Sequence, residues 1–233
     1  MDKKQQHHTV MDYLRWRGDL TFAADPFNEV DQLIFCIIAY LNFRRFPSLT
    51  TVKAGEATPL RTLAPLLRSE DEQQGLSQLE YLPLLRAAAE SRRFGEVGIF
   101  GYVTEKDISE EKQFDAVTFR LPDGSLFCAF MGTDISIIGW KEDLNLSHLP
   151  AVPAQRRAVA YVEAIAAANR GRLLRLGGHS KGGNLAMYAA LNVSPRVQKR
   201  IAAAYNNDGP GFAVSPWKEE RHLPMAERIH SYI

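Results

Sequence analysis

The chain has no long hydrophobic run: its longest apolar stretch, Leu33 to Leu41, falls far short of a bilayer span. It also lacks an excess of either charge. Lys and Arg number 28 against 27 for Asp and Glu, a net of +1, so no broad field draws it to nucleic acid or to an anionic membrane surface. Cysteine is scarce. Cys36 and Cys128 both lie in apolar runs, where buried free thiols are expected rather than a disulfide or a metal pair. His7 and His8 lack thiol or carboxylate partners and suggest no metal site, and no cofactor is expected. Met1 to His8 is polar and lacks the apolar core of a signal peptide, so the expected location is the cytoplasm. Internal repeats and low-complexity tracts are absent as well.

What is present suits a globular enzyme. Hydrophobic residues make up 45% and charged residues 24% of 233, enough to bury the core of one large domain. Residues 1 to about 94 read as helical. Asn28 is placed to cap a helix whose apolar positions Val30, Leu33, Ile34, Ile37, Ile38 and Leu41 follow the 3.6 period. A second apolar-periodic segment covers Leu60, Leu63, Leu66 and Leu67, marred by Pro65, and a third runs from Ser77 through Ala89 with an internal Pro83. The acidic run Glu70-Asp71-Glu72 between them reads as a solvated loop.

From about residue 95 the texture changes to alternating strand and helix. Val97 to Val103, Phe114 to Leu121 and Ser125 to Met131 read as strands, the last two joined by Pro122-Asp123-Gly124. In that turn proline presets the first dihedral and glycine accepts positive φ. Pro153 starts a helix, Gly171 stops it, and Leu173 to Leu176 reads as a buried strand. Asn184 to Leu191 reads as a helix and Arg200 to Tyr205 as the next strand. The order argues for an α/β fold with a largely parallel sheet and helices on its faces.

Between that buried strand and the following helix stands Gly178-His179-Ser180-Lys181-Gly182. The bare G-x-S-x-G spacing arises by chance in roughly one chain in twelve of this length at ordinary glycine and serine content; the flanking strand and helix therefore decide the reading. A serine on a sharp strand-to-helix turn presents its hydroxyl at the carboxyl end of the sheet, and the glycines two before and two after it allow strand and helix to approach. Ser180 is thus the candidate nucleophile. The backbone N–H of Lys181 is one expected oxyanion donor, and Thr133, after the strand break at Gly132, is the expected second.

Three linked segments carry a family resemblance. Phe130-Met131-Gly132-Thr133, then Gly139-Trp140-Lys141-Glu142-Asp143-Leu144, then Gly178 to Ala186 resemble the fungal-type (class 3) lipase pattern. The sequence is closer still to a bacterial family of lipase-like proteins called Mbeg-like, which carries G-W-K-E-D, G-H-S-K-G-G-N-L-A and D-G-P-G-F, the last at Asp208 to Phe212. Tyr13 to Leu20 and Pro26 to Asp31 match the opening segments of that family, so the resemblance extends over essentially the whole chain. It implies an α/β-hydrolase-like domain over 1–233, with a helical region at 1–94 and the sheet core at 95–233. It further implies a serine ester or acyl hydrolase acting on a small-molecule or lipid ester, with Asp143 buttressing the oxyanion loop. Met131 stands where the lipases have arginine, so the loop must be held differently.

The rest of a catalytic triad is harder to place. Acid and histidine should follow the serine, and the residues after Ser180 include Asp208, His222 and His230. Asp208 reads either as a triad acid or as a turn-capping aspartate; His222 reads as a surface residue and His230 as part of an alternating terminal strand. His179 is expected to point away from the serine hydroxyl, His148 to be a loop residue, and the Lys181 side chain to be solvated. Aligned on the lipases, Arg228 to Ile233 begins the strand that precedes the acid. A truncated or shortened homologue is then expected, with a frayed or self-associating C-terminal edge. The alternative is an α/β-hydrolase-fold protein that binds or scaffolds without catalysing.

Overall fold

In the computed structural model, which describes residues 9–72, 81–109, 112–133, 151–212 and 215–233, seven strands lie side by side in chain order. The strands β1 (Thr58–Pro59), β2 (Gly98–Asp107), β3 (Lys112–Arg120) and β4 (Leu126–Phe130) pair antiparallel. From β4 onward, β5 (Leu174–His179), β6 (Ile201–Asn207) and β7 (Ile229–Tyr232) pair in parallel. The sheet is therefore mixed, and the expectation of a largely parallel one holds only for its second half. The reason is local. At Pro122-Asp123-Gly124 the chain reverses within a few residues, with Gly124 at φ 81° and the Leu121 N–H donating to the Ser125 carbonyl at 2.9 Å. Parallel neighbours instead need a long crossover, which helices supply between β4 and β5 and between β5 and β6.

Helices cover both faces. On one lie α1 (Val10–Arg17), α2 (Glu29–Ile38), α3 (Leu60–Leu63) and α4 (Tyr81–Glu90). On the other lie α5 (Pro153–Ala168) and α6 (Lys181–Asn192), with the short α7 (Pro195–Gln198) after them. Strand β4 is buried along its length and divides the two cores by its two-residue period. Phe127 and Ala129 join the core under the N-terminal helices, whereas Leu126, Cys128 and Phe130 join the core under α5 and α6. Among the described residues no helix is long and apolar enough to cross a membrane.

Asn28 caps α2 as its sequence position suggests. Its side chain accepts from the N–H groups of Val30 and Asp31, and Asp31 accepts in return from the Asn28 N–H at 3.0 Å. Asp31 then continues into a buried cluster. The Arg93 guanidinium donates to both of its oxygens at 2.7 and 2.5 Å, and the Tyr13 hydroxyl donates to it at 3.0 Å. Arg93 also donates to the carbonyls of Asp25 and Pro26 at 2.9 and 3.2 Å. Both charged side chains are fully buried, so the two N-terminal motifs serve to fasten α1, α2 and the end of α4 to one another.

Two other expectations change. Pro65 limits the second apolar segment to one α-turn, followed by a 3-10 turn over Ala64–Leu66. The acidic run is not a solvated loop: Asp71 is buried and takes two bonds from Arg45 at 3.0 and 2.9 Å. Its neighbour Glu72 accepts from the Leu82 N–H at 2.7 Å, at the start of α4.

Candidate functional site

Strand β5 ends at His179 and α6 begins at Lys181, leaving Ser180 alone to turn the chain. It does so at φ 55° and ψ −132°, one of two non-glycine residues with positive φ among those described. Such a conformation costs about 1–3 kcal/mol and persists only where the surroundings enforce it. Here the backbone is fixed on both sides. The Ser180 N–H donates to the Asn207 carbonyl at 2.9 Å, and the Ser180 carbonyl accepts from the Gly183 N–H at 2.9 Å. A Cβ on Gly178 would collide with the Gly182 carbonyl, and one on Gly182 would collide with the Phe130 carbonyl of β4. Both neighbours are backbone and neither can yield cheaply, so this close approach of strand and helix requires glycine at both positions. Ser180 itself is half-buried.

Thr133 and Lys181, the expected oxyanion donors, belong to segments that flank this turn. A Cβ on Gly132 would lie 2.7 Å from the His179 carbonyl oxygen and 3.2 Å from Ser180 Cβ, so the loop after β4 abuts the serine. Thr133 is buried at the end of that loop. Lys181 starts α6 directly after the serine. Its side chain is not solvated, contrary to expectation: it is 1% exposed, and Nζ donates to the Gln113 carbonyl at 3.1 Å and to Gln113 Oε1 at 2.7 Å. The Gln113 amide donates in turn to Asp115 at 2.7 Å and to the Gly132 carbonyl at 3.4 Å, while the Met131 N–H donates to the Asp115 carbonyl at 3.0 Å. This chain of bonds supports a loop that has methionine where the lipases place arginine. Burial pushes the Asp115 carboxyl above its ordinary range, against the pull of Thr104, Gln113 and Lys181.

The acid and base candidates come from separate elements, with Asp208 beside the turn: a Cβ on its neighbour Gly209 would lie 2.6 Å from the Ser180 carbonyl oxygen. Asp208 ends β6 in the left-handed region at φ 51°, exposed, with its N–H donating to the Tyr232 carbonyl at 2.7 Å. His222 is buried rather than at the surface; its Nδ1 lies 2.8 Å from the Pro216 carbonyl, and its Nε2, 3.8 Å from Glu219 Oε2, has no hydrogen-bond partner among the described residues. It belongs to a 3-10 helix over Glu220–Arg228, whose buried side is formed by His222 and Met225. His230 lies exposed on β7 and stacks on Tyr205, ring centroids 5.4 Å apart. His179 turns toward the N-terminal helices, with Nδ1 3.0 Å from the Tyr40 hydroxyl. Burial holds its imidazole below the ordinary range, only partly countered by the nearby Asp208 carboxylate. Among the described residues, no histidine forms a hydrogen bond to the Ser180 hydroxyl. Trp140, Asp143 and His148 lie outside the described residues. No group of three or more His, Cys, Asp or Glu among the described residues could hold a metal.

Several residues that shape the site gave little signal in the sequence. Asn207 donates to the Gly178 carbonyl at 3.0 Å and exchanges bonds with Gln32 of α2 at 2.8 and 3.0 Å, which ties the turn to the N-terminal helices. Asn184, in the first turn of α6, donates to the carbonyls of Pro210 and Gly211 at 3.0 and 3.1 Å and accepts from Gln155 of α5 at 2.8 Å. The motifs around Ser180 and Asp208 therefore meet in space. Two consecutive asparagines closing the run Ile201–Asn207 were the one available hint, since buried amides in a strand require partners.

Mixed α/β architecture with a strained serine between a parallel strand and a helix defines the class. Within that class, the family model described as Mbeg1-like matches residues 88–233, and the chain belongs to that family. A solved fungal lipase–inhibitor complex, presented as a model for interfacial activation in lipases, is 18% identical, with a TM-score of 0.40. That match covers 55% of this chain and 52% of the lipase, so the chain spans about half the length of that enzyme. No curated protein matches the chain.

Proposed function

We propose that the protein is a serine ester or acyl hydrolase of the α/β-hydrolase type, with Ser180 as nucleophile. The observation that carries this reading is the backbone of Ser180, held at φ 55° and ψ −132° by glycine contacts that tolerate no Cβ. In this reading Ser180 Oγ attacks the carbonyl carbon of an ester, and the carbonyl oxygen takes up the negative charge. The N–H groups of Lys181 and Thr133 receive that oxyanion, helped by the positive end of α6. Collapse of the intermediate releases the alcohol and leaves an acyl-serine, which water then hydrolyses.

The serine proton needs an acceptor, and no described imidazole is bonded to the hydroxyl. That observation favours a second reading, a binding or scaffolding protein on the same fold. The two separate on covalent chemistry, because an acyl-serine forms only on Ser180, whereas an oxyanion site by itself keeps roughly 10³–10⁴-fold over water whether or not the serine is present. Slow hydrolysis of a short p-nitrophenyl ester by the purified chain, with an acyl adduct on Ser180 and a lower rate and no adduct in Ser180→Ala, is the expected result. An equal residual rate in wild type and Ser180→Ala would favour the binding reading.

A further inference from the structure

Tyr40 follows α2 and is buried where the N-terminal helices meet the site. Its ring stacks on Tyr81, centroids 5.3 Å apart and planes 5° from parallel, which fixes the phenol in place. The hydroxyl lies among three groups of the site. The Gly132 N–H donates to it at 3.2 Å, His179 Nδ1 is 3.0 Å away, and the His179 carbonyl is 3.4 Å away. A Cβ built on Gly132 would meet this hydroxyl on one side and Ser180 Cβ on the other. One phenol thus bridges the loop after β4 and the residue immediately before Ser180.

We infer that Tyr40 is a positioning residue for the oxyanion site, its hydroxyl fixing the Gly132–Thr133 backbone relative to Ser180. The inference rests on the hydrolase reading above. Oxyanion donors act only when held about 2.7–3.1 Å from the developing charge, and misplacement by about 1 Å costs about 100-fold in rate. The Gly132 N–H is buried, and the Tyr40 oxygen accepts from it. A phenol oxygen has two lone pairs and one hydrogen. One lone pair serves Gly132, and the same oxygen is within hydrogen-bond reach of His179 Nδ1, where the donor depends on the imidazole tautomer. Without the hydroxyl, the Met131–Gly132 peptide, which carries this N–H, must rotate to find another acceptor, and the adjoining Gly132–Thr133 peptide with the Thr133 N–H is displaced with it.

The test uses the full chain and a fluorophosphonate probe, measuring the maximal inactivation rate and the probe's half-saturation constant separately. Tyr40→Phe should lower the maximal rate about 10- to 100-fold, leave half-saturation within about twofold, and shift Tm by only a few degrees. Phe43→Leu, in the same core but against Tyr102, provides a destabilised control: it should lower Tm at least as far and leave the maximal rate intact. A Tyr40→Phe rate equal to wild type would overturn the inference, as would a fall matched by Phe43→Leu. If wild type takes no label at Ser180, the hydrolase reading falls and the role of Tyr40 with it. Labelled wild type with an unaffected Tyr40→Phe removes the inference alone.

Discussion

The Asp31–Arg93 cluster and the Ser180 turn are both polar, both largely enclosed and both built from motif residues, yet they differ in how their groups are used. In the first, Asp31 takes bonds from Arg93, Tyr13 and the Asn28 N–H, and Arg93 spends its remaining donors on backbone carbonyls. Its charges are paired, and none of its residues has a positive φ. In the second, the backbone is bent into a disfavoured region and the serine side chain is left half-exposed. Motif density alone does not distinguish a fastening from a site. Backbone strain at a half-buried serine is the difference on which the proposal for Ser180 rests.

The comparison breaks most visibly if Arg93 is removed. Arg93→Met strands the Asp31 carboxylate in a dry core and should cost about 3–5 kcal/mol, read as a lower midpoint in urea unfolding. Labelling of Ser180 at a temperature where the variant remains folded should be unchanged. A loss below about 1 kcal/mol would mean that Asp31 is less buried or less paired than described.

Gly182→Val tests the other cluster by overpacking. Its Cβ would drive into the Phe130 carbonyl, and the expected loss is about 1–3 kcal/mol, accompanied by loss of Ser180 reactivity because β4 and the turn move together. An unchanged Tm would contradict the close approach of strand and helix.

The smallest effect expected is with pH. The folded-state pKa of His179 is held down by burial, below the ordinary value near 6.5. Between those two values the unfolded chain binds more protons than the folded one, so stability falls as pH drops through about 6.5 toward the lowered value. The slope contributed by one such group is at most about 1.4 kcal/mol per pH unit. Replacing His179 with glutamine should flatten that part of the profile; an identical profile in the variant would show that His179 does not titrate below its ordinary range.

Much of the sheet core was legible from sequence because its signals are local. Pro122-Asp123-Gly124, Pro153 and Gly171 each act through their own dihedrals, and the strands and helix beside them form where expected. The partnerships that complete the site are not local. Tyr40 with His179, Gln32 with Asn207, and Lys181 with Gln113 join residues 139, 175 and 68 positions apart. No periodicity marks them. Lys181 and Asp71 were expected in solvent because charge usually stays there, and both are buried because a specific partner accepts them. His222 was likewise expected outside, and neither it nor His230 is hydrogen-bonded to the Ser180 hydroxyl.

Ser180, presented at the strained turn, is the proposed nucleophile. Peptide mapping after exposure to a fluorophosphonate tests this most directly. A single covalent adduct, formed slowly, located on Ser180 and absent from Ser180→Ala, is the expected result. No adduct after prolonged exposure, or an adduct that persists in Ser180→Ala, would contradict it.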